Sequence, residues 1–257
     1  MSIDLAKKHL IDLNKKVVKI VKDMGLNGQK AKVAVAIDIS GSMENSFYSG
    51  EVQEATNRTL ALAMNFDDNG AIDVFTFNTS GRYIGEVSEQ NFYQFVDQKI
   101  RRSVGGGTRY APVMKMILDH YGVDVSTPPV VNKEKGLFSK MFGKKATIEP
   151  AVEKIETLDE PIYVIFITDG ENPDHEDTKK LLINSSNHGV FWKFVGIGNE
   201  DFGFLKLLDK LEGRLIDNAN FIEVNNLASI DEENLYKLLL KEFPEWLKEA
   251  KNKSLIK

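Results

Sequence analysis

The chain has 257 residues, of which 42% are hydrophobic and 28% charged, with a formal net charge of −5 and no cysteine. That is enough chain to bury an ordinary globular core. Scattered Lys and Arg under a negative net charge argue against nucleic acid as a partner, and the missing cysteines exclude disulfides, zinc–thiolate sites and cysteine nucleophiles. No apolar run approaches the ~18 residues of a membrane span and no basic start leads into an apolar core, so neither a transmembrane segment nor a secretory leader is expected, and the cytoplasm is the expected compartment.

Residues 1–30 read as an amphipathic lead-in helix. Leu10, Leu13, Val17, Val18, Ile20, Val21 and Met24 recur at helical spacing between lysines, and Gly25 is a stop signal. Residues 31–257 read as one domain with an insertion at about 122–160. The domain opens on Val33–Ile37, a short apolar run suited to a strand buried on both faces of a parallel sheet. The run ends in Asp38, Ser40, Gly41 and Ser42. Ligands of open α/β sheets sit beyond the carboxyl ends of the strands. A carboxylate and two hydroxyls at alternate residues can converge on one hard cation if the loop curls around it. The competing reading is a helix cap, for which Asp and Ser after a strand are equally suited.

A helix is expected over Glu51–Phe66, a turn at Asp67–Gly70, a strand over Ile72–Phe77 and a hairpin partner over Arg82–Val87. Short helices follow over Phe92–Ile100 and Ala111–Tyr121, separated by Gly105-Gly106-Gly107-Thr108. That loop offers a backbone able to approach closely and one more hydroxyl. The connection Gly122–Glu160 is unusually long. Its centre, Lys133–Lys145, holds five lysines and one glutamate, interleaved with Leu137, Phe138, Met141 and Phe142. Lys133, Phe138, Lys140, Phe142, Lys144 and Lys145 are therefore candidate contacts for a partner or an anionic membrane surface, the competing reading being a flap on the protein's own domain.

A second buried-strand run, Ile162–Thr168, ends in Asp169-Gly170-Glu171. A helix over Asp177–Gly189, a strand over Phe191–Ile197, a brief helix over Phe202–Lys210 and a last strand over Phe221–Val224 follow. Ser229 and Glu232 have capping-box spacing ahead of a C-terminal helix, which Pro244 is expected to break so that Trp246 and Leu247 pack back onto the sheet. The strand–helix alternation predicts a doubly wound α/β fold with a mostly parallel central sheet and helices on both faces.

Asp38, Ser40, Ser42, Thr108 and Asp169 thus come from three loops at one sheet edge. The set resembles the metal-ion-dependent adhesion site (MIDAS) of von Willebrand factor A (vWA) domains. The chain is most similar to the bacterial tellurium-resistance, TerF-like subgroup, through Asp38–Met43, Ser49–Gln53, Asn65–Asp68, Gly107–Pro112, Phe166–Glu171, Phe191–Gly196, Asp217–Phe221 and Glu242–Leu247. The resemblance covers the chain from about residue 10 onward and implies a vWA, Rossmann-like fold. It implies Asp38, Ser40, Ser42, Thr108 and Asp169 as the shell of Mg²⁺ or Mn²⁺, with Ca²⁺ compatible. It also implies a protein partner whose acidic residue completes that shell, in a tellurium-resistance or stress-response setting.

The competing class is a Mg²⁺-dependent hydrolase or phosphohydrolase. An Asp-x-Asp phosphohydrolase needs a carboxylate where Ser40 stands, and His9, His120, His175 and His188 show no ligand pairing. No phosphate-binding Lys loop or nucleophile elbow is present, and Gly196-Ile197-Gly198 lacks the third glycine of a dinucleotide fingerprint, Asp201 standing there instead. A binding module, not an enzyme, is the expectation.

Overall fold

The computed structural model describes residues 2–129 and 157–257. Lys133–Lys145, with its six candidate contact residues, lies outside them. The elements, in chain order, are α1 (Ile3–Asp23), β1 (Lys32–Asp38), α2 (Glu44–Tyr48), α3 (Glu51–Ala63), β2 (Ile72–Phe77), β3 (Gly81–Val87), α4 (Phe95–Lys99) and α5 (Ala111–His120). After the long connection come β4 (Ile162–Thr168), α6 (His175–Ser185), β5 (Val190–Ile197), α7 (Gly203–Asp209), β6 (Ala219–Val224), α8 (Glu232–Leu240) and α9 (Phe243–Asn252).

The strands form one sheet in the order β3-β2-β1-β4-β5-β6. All neighbours pair in parallel except β2 and β3, which form the antiparallel edge hairpin. Alternation within β1 divides the core. Val33, Val35 and Ile37 face the layer of α1, α3, α8 and α9, whereas Ala34 and Ala36 face that of α5, α6 and α7. The small side chains on the second face make room for Phe77, Phe166, Phe194 and Tyr110 to pack together beneath the loops. The result is a doubly wound α/β fold with both sheet faces covered.

Ser2 caps α1, and Gly25 leaves it at φ 71°. Ala6, Leu10, Leu13, Val17, Ile20 and Val21 join the main core, but Val18 is 50% exposed, on the solvent side of the stripe. α6 starts earlier than expected, at His175, and ends at Ser185, where the Ser186 hydroxyl folds back onto the Ile183 carbonyl (2.6 Å). The helix expected over Phe92–Ile100 is confined to Phe95–Lys99, because Gln94 takes a left-handed conformation (φ 56°). α2 was not expected from the sequence.

The cap of α8 is Asp231, whose carboxylate accepts from Asn234 N (2.9 Å), and not Ser229, whose own N–H is held by Asn226. A carboxylate one position from the helix start outcompetes a hydroxyl two residues further back. Pro244 stands in the first turn of α9, where its missing N–H costs nothing, and Trp246 packs on Phe191 (centroids 5.3 Å) and Phe243.

The Asp217–Phe221 stretch is structural. Asn218 Nδ2 ties the Leu182 carbonyl and Ser185 Oγ of α6 (both 3.2 Å), and Asn220 Oδ1 accepts from the buried ammonium of Lys193. Burial pushes Lys193 down to about 7. The C-terminal tail clamps the entry to β4 through Leu158 N to Leu255 O (3.0 Å) and Lys257 N to Leu158 O (3.1 Å).

β3 runs directly under α5. A Cβ added at Gly81 would lie 2.9 Å from Val113 Cα and 3.1 Å from Val113 N. Since those are backbone atoms, Gly81→Ala is expected to cost about 1–3 kcal/mol, from displacement of the α5 start. Urea denaturation checks this; a midpoint equal to wild type would contradict the close approach.

Candidate metal centre

In the order β3-β2-β1-β4-β5-β6 the winding reverses between β1 and β4. Adjacent loops there leave in opposite directions and open a crevice at the carboxyl ends of the two strands. Asp38 is the last residue of β1 and Thr168 the last of β4. Asp38 Oδ1 accepts from Ser40 N (2.8 Å), which curls the loop as soon as the strand ends, and Oδ2 accepts from Thr168 Oγ1 (2.6 Å). Ser40 Oγ lies 3.1 Å from Ser42 Oγ, and Ser42 Oγ donates to Asp169 Oδ1 (2.9 Å). Asp38, Ser40, Ser42 and Asp169 thus form one continuous cluster of oxygens. The cap reading of the β1 loop is not realised: neither Ser40 nor Met43 makes a side-chain cap bond to the turns that follow.

Thr108 arrives from the glycine loop. Gly105 N donates to Ile39 O (2.7 Å) and Gly41 N to Gly106 O (3.1 Å), so the glycines are sewn to the β1 loop by backbone alone. Gly106 sits at φ 90° against the amide of Asn78, whose Nδ2 donates to Gly105 O (2.9 Å). Thr108 is half-buried beside this seam.

Several supporting residues escaped the sequence reading. Tyr110, fully buried, donates its hydroxyl to the Gly170 carbonyl and lies 3.3 Å from Thr168 Oγ1. Asp174 accepts from Tyr110 N (3.2 Å), Ala111 N (2.9 Å) and Asn172 Nδ2 (2.6 Å). It caps α5 from a loop more than sixty residues away, and so locks the Thr108 loop to the Asp169 loop. The only sequence signal is an acidic residue after Pro173 at a helix start, and that pattern marks the cap of its own helix. His175 lies flat on Phe204 (centroids 3.8 Å, 9° between planes) and is not part of the cluster.

Asp38 is 0% exposed. Burial pushes its carboxyl up to about 6, against the hydrogen bonds from Thr168 and Ser40, and the charge of Asp169 adds to the rise. Burial also raises Asp169, and the charge of Glu200 adds to it. Among the described residues, the charges bearing on this pair are therefore other carboxylates. A buried carboxylate needs a compensating positive charge, and among the described residues side-chain and backbone groups supply only hydrogen bonds. Two carboxylates with three hydroxyls are hard, oxygen-only donors of the kind Mg²⁺ takes while keeping some of its water. The residues present fit a divalent cation.

A second grouping, His9, Glu54 and Glu232, does not. Its carboxylates are already engaged: Glu54 by the Arg58 guanidinium (Nε 2.8 Å) and by a hydrogen bond with His9 Nε2 (2.9 Å), and Glu232 by the Lys16 ammonium. It is an ion-pair network joining α1, α3 and α8.

The family model for vWA-TerF-like domains, described as the vWA found in the TerF C terminus, matches residues 30–132 and 132–256. The break between the two stretches falls inside the long connection. YcbR of Bacillus subtilis (strain 168) is 38% identical over 252 residues, 96% of this chain and 90% of that protein. Copine-C of Dictyostelium discoideum is 27% identical over 207 residues, 74% of this chain but 35% of its own length. Among solved structures, proximal thread matrix protein 1 of the mussel byssus shares the fold at a TM-score of 0.54 and 17% identity, over 82% of this chain and 47% of that one. An aerotolerance-related membrane protein of Bacteroides fragilis NCTC 9343, solved with multiple mutations to serines, does so at 0.50 and 13%, over 84% and 99%. Among the described residues no helix is long and apolar enough to cross a membrane. The chain belongs to the TerF-like family of vWA domains, a module that is often metal-dependent and mediates protein interactions.

Proposed function

We propose that Asp38, Ser40, Ser42, Thr108 and Asp169 hold a divalent cation, Mg²⁺ foremost with Mn²⁺ and Ca²⁺ as substitutes, and that a protein partner binds through an Asp or Glu side chain completing the shell. The observation that carries this reading is the wholly buried Asp38 carboxylate, next to Asp169 and answered by no cationic side chain among the described residues. The ion supplies the missing positive charge; Asp38 and Asp169 balance its two charges, and the partner carboxylate binds by taking a coordination position otherwise held by water. The protein acts in this reading as a binding module and not as an enzyme, in the bacterial tellurium-resistance or stress-response setting of its family. The test is capture of proteins from native lysate with Mg²⁺, with EDTA and with Asp38→Ala. A protein recovered only with Mg²⁺ on the wild-type chain, and competed by an acidic peptide, supports the reading. Equal recovery in all three sinks it.

Binding to the ion requires ionised carboxylates. In the metal-free protein Asp38 is raised above its ordinary 3.8 to about 6. Its protonated form therefore favours the fold below pH ~4, and that contribution is lost as pH rises through about 6. Cation binding runs the other way. The rise in Tm given by saturating Mg²⁺ is expected to be full above pH 7 and to fade as pH falls below about 6, affinity dropping up to ~10-fold per pH unit for one proton displaced. A Tm rise equal at pH 5 and pH 7.5 would contradict the assignment of Asp38.

A further inference from the structure

A second set of polar side chains gathers at the edge hairpin of the sheet, away from the oxygen cluster. Asp73 pairs with Ala34 near the start of β1, whereas Asp38 pairs with Phe77 at the far end of β2. Asp73 and Phe77 are ~13 Å apart along an extended strand, so the two sets lie toward opposite ends of it. Four side chains meet at the hairpin. Asp73 Oδ1 accepts from the Tyr83 hydroxyl of β3 (2.7 Å), and Oδ2 accepts from the hydroxyl of Tyr121 (2.6 Å), the residue after α5. His120, the last residue of α5, brings its Nε2 to 3.4 Å from the same Oδ2. The imidazole is held by the rings of Phe75, Tyr83 and Tyr121, at centroid distances of 5.3, 4.7 and 4.9 Å. Water reaches the group: Tyr83 is 42% exposed, and the side chains of His120 and Asp73 are 31% and 21% exposed.

The local field is negative. Among the described residues no Lys or Arg pairs with Asp73, and none pairs with Glu86, which stands directly across from Asp73 in the β2–β3 ladder and takes the Asn69 amide instead. Like charges opposite one another in a ladder are unfavourable. Burial and the Asp73 carboxylate hold both phenols well above their ordinary value, with Glu86 adding to the rise at Tyr83 and Asp67 to that at Tyr121. The carbonyl end of α5, which His120 closes, contributes in the same direction. Such a field favours a cation.

The donors say which cation. Mg²⁺ and Ca²⁺ take carboxylate, carbonyl and water oxygens, and a phenol that holds its proton this firmly yields it only to a more strongly polarising ion. Fe³⁺ is such an ion: it is trivalent and hard, it takes anionic oxygen, tyrosinate and imidazole are both among the ligands of iron, and no sulfur is present to draw a softer metal. A six-coordinate ion with bonds of ~2.0–2.1 Å places neighbouring ligand atoms ~2.9 Å apart. The spacings around Asp73, 2.6, 2.7 and 3.4 Å, are close to that.

We propose that Asp73, Tyr83, His120 and Tyr121 form a binding site for ferric iron, in which the two phenols enter as phenolates and release their protons to water. Water fills the remaining positions. The site is independent of the Mg²⁺ reading, with which it shares no residue.

The experiment titrates ferric nitrilotriacetate into the full chain and reads visible absorption. Iron bound by phenolate shows a charge-transfer band there that iron held by carboxylate and water lacks. The band is expected to saturate at one iron per chain. In Tyr83→Phe it should shrink by about half, with affinity at least about tenfold lower, and in the double variant Tyr83→Phe/Tyr121→Phe it should vanish. Asp38→Ala should leave it unchanged. Tyr83→Phe keeps the ring contacts to Phe75 and His120 and deletes only a hydroxyl on an exposed ring, so it decides the matter if the double variant does not fold. No band at saturating iron, a band of full height in folded Tyr83→Phe, or its loss in Asp38→Ala overturns the proposal.

Discussion

Asp38→Ala is expected to erase the rise in Tm that Mg²⁺ gives the wild-type protein and to leave a folded chain. The carboxylate is wholly buried, and it is raised to about 6 by burial and by the charge of Asp169. Its replacement therefore removes an unfavourable charge in the metal-free state while deleting half of the site's negative charge. Two effects of opposite sign follow. Without metal at pH 7.5 the variant is expected to melt at or above the wild-type temperature, offset by the loss of the bonds from Ser40 N and Thr168 Oγ1. With Mg²⁺ only the wild type gains. Differential scanning fluorimetry across a Mg²⁺ series reads both. An Mg²⁺-induced rise of the same size in Asp38→Ala would show that the ion binds elsewhere. Asp38→Asn separates charge from shape, since it retains an acceptor for Ser40 N and should still fail to respond to Mg²⁺.

Asp174→Ala carries the largest expected loss of stability. One buried carboxylate takes the Tyr110 and Ala111 N–H groups, holds Asn172, and lies 3.9 Å from Arg109 Nε. Alanine leaves two N–H donors at the start of α5 without acceptors, one of them beneath the fully buried Tyr110. Loss of a cap together with an unmet buried donor costs about 2–4 kcal/mol, and for a domain of this size that lowers Tm by roughly 5–10 °C. The same substitution unlocks the Thr108 loop from the Asp169 loop, so Mg²⁺ affinity should fall as well, although Asp174 is no ligand. Thermal denaturation with and without Mg²⁺ checks both. A Tm within about 1 °C of wild type would show that α5 needs no cap from the β4 loop.

The ends of β1 and β4 were legible because both strands are buried on two faces, and an apolar run that stops at a carboxylate marks such an end. Asp38 and Asp169 were visible for that reason. Ser40 and Ser42 were visible as hydroxyls at alternate residues after the strand and Thr108 as a hydroxyl behind three glycines, but hydroxyls in loops have many local uses, so it took the resemblance to join them into one shell. Parallel pairing and two covered faces follow from the alternation of strands and helices. The position of β1 between β2 and β4, which creates the crevice, is a matter of long-range pairing that no local pattern expresses.

Asp174 shows the same limit. Its position before α6 marks it as a local cap, yet its acceptors serve α5, reached only after the sheet has formed. At α8 a local rule failed for the opposite reason. Ser229 had capping-box spacing with Glu232, but Asp231 lay closer to the helix and Asn226 had already taken the Ser229 N–H. Lys193, in the middle of an apolar strand, reads as a break in the pattern. In the fold it is enclosed beside Asn220, and burial holds its ammonium near 7.

The measurement that tests the central claim most directly is anomalous diffraction from crystals of the protein grown with Mn²⁺. The account predicts one strong anomalous peak among the oxygens of Asp38, Ser40, Ser42, Thr108 and Asp169, absent from crystals of Asp38→Ala grown in the same way. A peak at His9, Glu54 and Glu232 with none beside Asp38, or no ordered Mn²⁺ at all at a saturating concentration, would contradict it.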